Sequence, residues 1–244
     1  MQTTKIIAII LLLISTLASS VSAQTTLVGV SQGNTFNYNY SFSWQSTNPS
    51  ATIPYPYTDL NNIQSMRISV RNVTGTTINM DLTKIYKNGG ESTQNGNINI
   101  DTQLLELPYS VLIIRAEANP NENIYPSGGH AVLSGIETRS YSIGQVQTIK
   151  YSIEETSDEG AVEKTNIYYN RENGVGMEYT FESAQTSGGY VTTVEESLTI
   201  ASWVIPEFSS LVFLAILFTA IPIIIIVYRK QFLKNDFRVQ LKYP

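Results

Sequence analysis

Between Phe36 and Trp44 every second residue is aromatic: Phe36, Tyr38, Tyr40, Phe42 and Trp44 alternate with Asn37, Asn39, Ser41 and Ser43. Side chains of an extended chain point alternately to its two faces, so this segment has one apolar and one polar face as a strand. Wound as a helix, it would scatter the same rings around the whole circumference. Met66, Ile68 and Val70 repeat the pattern, as do Ile78, Met80 and Leu82. Turn-forming residues follow at short intervals: Gly75, Asn88-Gly89-Gly90, Asn95-Gly96, Ser157 to Gly160, Asn173-Gly174 and Ser187-Gly188-Gly189. Spacing this close leaves no room for crossover helices. It predicts a mainly β chain, an antiparallel meander able to curve into a half-barrel sheet over one or two short helices.

Two stretches depart from the alternation. Thr58 to Met66 reads as a short helix. Pro108 to Ala118 carries the run Val111-Leu112-Ile113-Ile114, which is compatible with either a helix or a fully buried strand, because a short apolar run has no distinguishing period. Asn119-Pro120 then opens a loop through Tyr125-Pro126-Ser127-Gly128-Gly129. Loops on a rigid sheet commonly carry function, so this segment is the first place to look for a ligand.

The two ends of the chain are of another kind. Lys5 precedes the unbroken apolar run Ile6 to Ile14, and Val21-Ser22-Ala23 offers the small residues of a cleavage site, so residues 1–23 read as a signal peptide. Leu211 to Tyr228 contains no charged residue and, as a helix, is about 27 Å long against a hydrocarbon core of about 30 Å. It reads as one transmembrane helix. Pro222 is tolerable there if neighbours satisfy the freed carbonyl of Phe218. Arg229 and Lys230 follow at once and mark the cytoplasmic end, and they fix the topology together with the signal peptide. The expected organisation is a signal peptide (1–23), an extracytoplasmic β-rich domain (24–203), a juxtamembrane segment (204–210), the helix (211–228) and a basic cytoplasmic tail (229–244).

Charge is partitioned accordingly. Of 15 Lys and Arg, Lys5 and the five in the tail lie outside the domain, leaving nine; of 20 Asp and Glu, Glu207 and Asp236 lie outside, leaving eighteen. An acidic domain of this kind repels nucleic acid. The absence of cysteine excludes disulfides and thiolate chemistry.

Little in the chain has the spacing of a catalytic or metal centre. His130 is the single histidine, which excludes Cys/His zinc sites, and no serine sits in a Gly-x-Ser-x-Gly elbow that it could serve. Glu154-Glu155-Thr156-Ser157-Asp158-Glu159-Gly160 is the densest acidic run, but its spacing matches no calcium loop and fits a solvated hairpin tip. No catalytic residue, metal ligand or cofactor is expected. Asn39-Tyr40-Ser41 and Asn72-Val73-Thr74 are N-glycosylation sequons, one on the polar face of a strand and one running into a turn; Pro49 disqualifies Asn48-Pro49-Ser50.

Ile205-Pro206-Glu207-Phe208, followed by the apolar span and Arg229-Lys230, resembles the C-terminal sorting signal of archaeal surface proteins of the Pro-Glu-Phe type. That resemblance implies recognition of Pro206, Glu207 and Phe208 by a membrane-embedded sorting peptidase of the archaeosortase kind. The present chain departs from the pattern by running fourteen residues beyond Lys230. The domain is also similar to a family of uncharacterised archaeal ectodomains, through Val30 to Tyr38, Asn123 to Gly128 and Tyr168 to Val175. The last of these segments resembles hairpins of half-barrel lipoprotein carriers.

Taken together, these features predict a single-pass cell-surface module that binds an apolar ligand, a glycan or a neighbouring surface-layer protein. A purely structural envelope protein and a carboxylate-dependent hydrolase are the alternatives. A carrier needs an apolar cavity, a structural module a filled core, and a hydrolase two converging carboxylates. Intact-mass measurement on protein from its native membrane is expected to give a chain running from Gln24 to Pro244. A lipid-bearing species ending near Phe208 would show that the sorting peptidase has acted and the tail is not retained.

Overall fold

The computed structural model describes residues 28–205 apart from 56, 103, 106, 107, 127, 158 and 159. The signal peptide, the Pro206-Glu207-Phe208 motif, the apolar span and Arg229-Lys230 lie outside the described residues. No helix among the described residues is long and apolar enough to cross a membrane.

Among the described residues eleven strands form one antiparallel sheet. The first five are β1 (Thr35–Ser46), β2 (Ile63–Thr74), β3 (Thr77–Tyr86), β4 (Glu91–Asn99) and β5 (Leu104–Leu105). The last six are β6 (Asn123–Tyr125), β7 (Gly128–Tyr141), β8 (Gly144–Thr156), β9 (Val162–Asn170), β10 (Gly176–Ser187) and β11 (Tyr190–Val204). Their spatial order is β5-β4-β3-β2-β1-β11-β10-β9-β8-β7-β6. Two meanders therefore run outward from the centre, and the pairing of the first strand with the last joins them. All of β1 takes part in that pairing, from Thr35 opposite Val204 to Ser46 opposite Thr192, with one bulge at Asn37/Tyr38.

The alternation in β1 is realised, with a gradient along it. Phe36, Tyr38 and Tyr40 are buried, whereas Phe42 and Trp44 are half-buried. Met66, Ile68 and Val70 of β2 and Ile78, Met80 and Leu82 of β3 are all buried on the same contiguous core. From the other half come Ile149, Ile167, Tyr169, Met177, Leu198 and Ile200.

The core is completed by the connection between the two edge strands. Ten inter-strand steps of about 4.8 Å put the edges of a flat sheet about 48 Å apart, and the eighteen steps of chain from Leu105 to Asn123 reach at most about 60 Å when extended. The connection must therefore pass close over the sheet. It does so on the apolar face: Leu112, Ile113 and Ile114 are at most 1% exposed. Burial of that kind contributes roughly 1.5–3 kcal/mol per side chain. Their conformation is neither of the two the sequence left open. A single 3₁₀ turn, Ser110–Leu112, leads into irregular chain in which Ile113 makes an isolated antiparallel bridge to Val175.

That close approach requires glycine. A Cβ on Gly174 would lie 2.2 Å from the Ile114 carbonyl oxygen, and the residue also has φ +73°, a conformation other residues rarely adopt. A Cβ on Gly176 would lie 2.7 Å from the Leu112 side chain and 3.1 Å from its carbonyl oxygen. Backbone hydrogen bonds then hold the strap down, from the Ile114 N–H to the Gly174 oxygen (2.9 Å) and from the Glu117 N–H to the Arg171 oxygen (2.8 Å).

The sheet is strongly coiled around β7 and β8. Arg139 of β7 lies over the Tyr168 ring of β9 (3.9 Å to the centroid) and pairs with Glu178 of β10 at 2.8 Å. Ser142, in the β7–β8 turn, donates to the Ile200 and Ala201 carbonyls of β11 at 3.2 and 2.7 Å. Two to four strand spacings of about 4.8 Å separate these partners in a flat sheet.

Two local expectations are corrected. The helix expected over Thr58 to Met66 is only α1 (Tyr57–Leu60), and β2 begins at Ile63. Ile63, Met66 and Ile68 have more apolar surface to bury against the sheet than a four-residue amphipathic turn offers. Asn95-Gly96 is not a turn but lies within β4, where Gly96 pairs with Met80. The β3–β4 reversal is made by Asn88-Gly89-Gly90, where Gly89 has φ +83°.

Phe36 is fully buried and in ring contact with Trp203 at 5.4 Å, whereas Asn39 is exposed on the opposite face of the same strand. Phe36→Ala is expected to cost about 3–5 kcal/mol and Asn39→Ala under about 0.5 kcal/mol in urea unfolding. Equal costs would contradict the assignment of faces.

Candidate functional site

The strap continues beyond Ile114 to the end of the sheet where β9 turns into β10. Arg171 is held there from both sides. Its backbone N–H donates to the Gln147 carbonyl (3.0 Å), Nη1 donates to Gln147 Oε1 and Nη2 to Asn119 Oδ1, both at 3.1 Å. Its Nε is buried without a hydrogen-bond partner. A guanidinium presents five N–H donors in a rigid fork, so this one retains donor capacity for something else.

Around it lies a polar depression of about 530 Å3. Glu117 and Asn119 of the strap form one wall, Gln145 and Gln147 of β8 another, and Asn170 and Glu172 flank Arg171 at the turn. The walls thus carry four side-chain amides, one guanidinium and two carboxylates. Both carboxylates are solvent-exposed. No group of three or more His, Cys, Asp or Glu among the described residues could hold a metal ion.

The geometry of the strap here is costly and well braced. Glu117 and Asn121 have φ of 56° and 67°, in the left-handed region, which asparagine tolerates but which strains a residue such as Glu117 by on the order of 1–3 kcal/mol. Bracing comes from Glu122, which accepts from the Asn119 backbone N–H at 2.7 Å and pairs with the Arg115 guanidinium. The Asn119 N–H and then the Arg115 charge hold the Glu122 carboxyl below the usual carboxylate range. Asn170 and Asn173 are buried and bond to the turn's own backbone, at the N–H groups of Glu172 and Val175. The turn is therefore a fixed platform under the depression.

The sequence pointed to the loop after Asn119, and Asn119 does line the depression. Further along, Asn123–Tyr125 is β6, and Tyr125 pairs back with Gly128 of β7. Arg171, Gln145 and Gln147 were not anticipated, because each reads as an ordinary polar position beside a turn. Asn39 is exposed in mid-strand, and Asn72 is exposed near the end of β2, where its amide donates to the Thr74 hydroxyl at 3.3 Å. The acidic run Glu154 to Gly160 spans the end of β8 and the β8–β9 turn, with Glu154 and Glu155 exposed and residues 158 and 159 outside the described residues. The side chain of His130 is also outside them.

No protein-family model matches the chain, and no curated protein matches it significantly.

Proposed function

We propose that the chain is a single-pass cell-surface binding module whose ligand is a hydroxyl-rich glycan, taken at the Arg171 depression. The observation that carries this reading is the donor and acceptor set around Arg171. Planar amides both donate to and accept from sugar hydroxyls, carboxylates accept from them, and the Nη1 and Nη2 hydrogens not used on Gln147 and Asn119 supply fixed donors. An apolar cargo fits less well, since Leu112, Ile113 and Ile114 fill the inner face where a half-barrel carrier would hold it.

Attachment to the cell follows from the ends of the chain. The signal peptide exports the domain, the apolar span from Leu211 to Tyr228 anchors it, and Arg229 and Lys230 hold the tail inside. The Pro206-Glu207-Phe208 motif is a candidate sorting signal on that anchor, of the kind found on archaeal surface proteins. Asn39 and Asn72 are accessible acceptors for glycosylation on the same side of the membrane.

A hydrolase is the second reading, and one specific observation favours it: Glu117 and Glu172 border the same depression. Glycoside hydrolysis needs two carboxyls flanking the bond, one of them kept protonated by burial. Both of these are exposed, which favours binding.

Titration of the full-length protein with a panel of neutral and acidic hexose oligosaccharides, followed by saturation-transfer NMR, tests the proposal. Saturable binding is expected, weakened by about tenfold in Arg171→Ala, with no release of reducing ends. Release of reducing ends that Glu117→Gln and Glu172→Gln both abolish would establish the hydrolase instead. No binding by any member of the panel, or binding indifferent to Arg171→Ala, would overturn the glycan reading.

A further inference from the structure

Tyr109, at the other end of the strap, meets a charge in an unexpected place. Glu196 of β11 lies directly opposite Phe42 of β1 on one side and Phe181 of β10 on the other, in register with the row Tyr38, Tyr40 and Phe42. It therefore belongs to the apolar face of the sheet. A carboxylate in such surroundings ordinarily has a cation beside it. None of the ion pairs among the described residues includes Glu196.

Tyrosines surround it instead. Tyr109 donates its hydroxyl to Glu196 Oε1, which uses one of about four acceptor positions on the carboxylate. Tyr40 is 8% exposed, and its hydroxyl is buried beside the Glu196 carboxylate and the Tyr109 hydroxyl. Burial and then the nearby Glu196 charge push the ionisation of that hydroxyl to higher pH, keeping it protonated. The rings of Tyr109 and Tyr179 stand edge to face, 5.9 Å apart at 88°, and make a corner. Tyr109 is held there with φ 60°, in the left-handed region. Tyr109, Tyr179, Phe42, Phe181 and Glu196 are all half-buried, so solvent reaches the group from one side.

We propose that this end of the inner face is a second binding site, for an organic cation of the alkylammonium class. Glu196 supplies the counter-charge, and Tyr40, Tyr109 and Tyr179 supply the aromatic walls. Ring faces attract a cation through their quadrupoles, and an alkylated ammonium loses less hydration on entering than a small hard ion does. Glu196 repels anions. The site is independent of the Arg171 depression, which lies at the opposite end of the strap.

The test titrates full-length protein in maltoside micelles with tetramethylammonium chloride at ionic strength held constant with sodium chloride. Calorimetry and tyrosine fluorescence follow binding, and N-acetyl-lysine methylamide in a parallel titration distinguishes a quaternary from a primary ammonium. Saturable one-site binding of at least one cation is expected, weakened by about tenfold or more in Glu196→Gln and unchanged in Arg171→Ala. The urea midpoint of Glu196→Gln checks its fold, and Tyr179→Leu, expected to weaken binding likewise, serves if that variant does not fold. Absence of saturable binding by the unaltered protein would overturn the proposal, as would equal affinity in the folded variant or loss in Arg171→Ala.

Discussion

The contact between the strap and the β9–β10 turn is the constraint on which the rest of the domain depends. An open sheet of eleven strands with one apolar face has no second layer of its own to cover that face. Sheets elsewhere solve this with helices or a second sheet. This one uses its own edge-to-edge connection, and the connection is seated by the absence of two β-carbons, at Gly174 and Gly176. A third close approach reinforces the same turn from the N-terminal side, where a Cβ on Gly29 would lie 2.4 Å from the Asn173 Cα. Both proposed sites follow from this seating, since Glu117 and Asn119 reach Arg171 at one end of the strap while Tyr109 reaches Glu196 at the other.

The strands were legible because period two is a short-range property. Each strand shows its buried face in its own sequence, and the glycine pairs between strands announce the reversals. Where two short-range signals compete, tertiary burial decides. Thr58 to Met66 carries helix-compatible residues, but Ile63 and Met66 lose more by leaving the core than a short helix gains. Asn95-Gly96 has turn chemistry, yet β3 offers Met80 and Asp81 as ladder partners, and pairing wins. Val111 to Ile114 could not be assigned locally, because its conformation is set by the spacing of the sheet it crosses and by Gly174 far along the chain.

The candidate sites were less legible for the same reason. Asn119 was reachable from sequence because Asn-Pro opens a loop. Arg171 was visible only as a polar residue in an Asn-Arg-Glu-Asn-Gly turn, and its unpaired Nε depends on Gln147 and Asn119 arriving from elsewhere. Glu196 is hidden more deeply. In Val194-Glu195-Glu196-Ser197-Leu198 two adjacent carboxylates read as a solvated pair, whereas the register with Phe42 and Phe181 puts one of them on the inner face. A local signal did exist: Val194, Leu198 and Ile200 alternate, and Glu196 occupies the one charged position in that row.

If the strap is seated as described, its backbone shares the stability of the sheet beneath it. Amide hydrogen exchange resolved to single residues tests this most directly. Ile114 and Glu117, whose N–H groups donate to Gly174 and Arg171, are predicted to exchange as slowly as strand amides such as that of Ile149, and only by global unfolding. Gly174→Ala is predicted to abolish that protection at both residues. Exchange of Ile114 and Glu117 at the rate of an exposed loop in the unaltered protein would contradict the account.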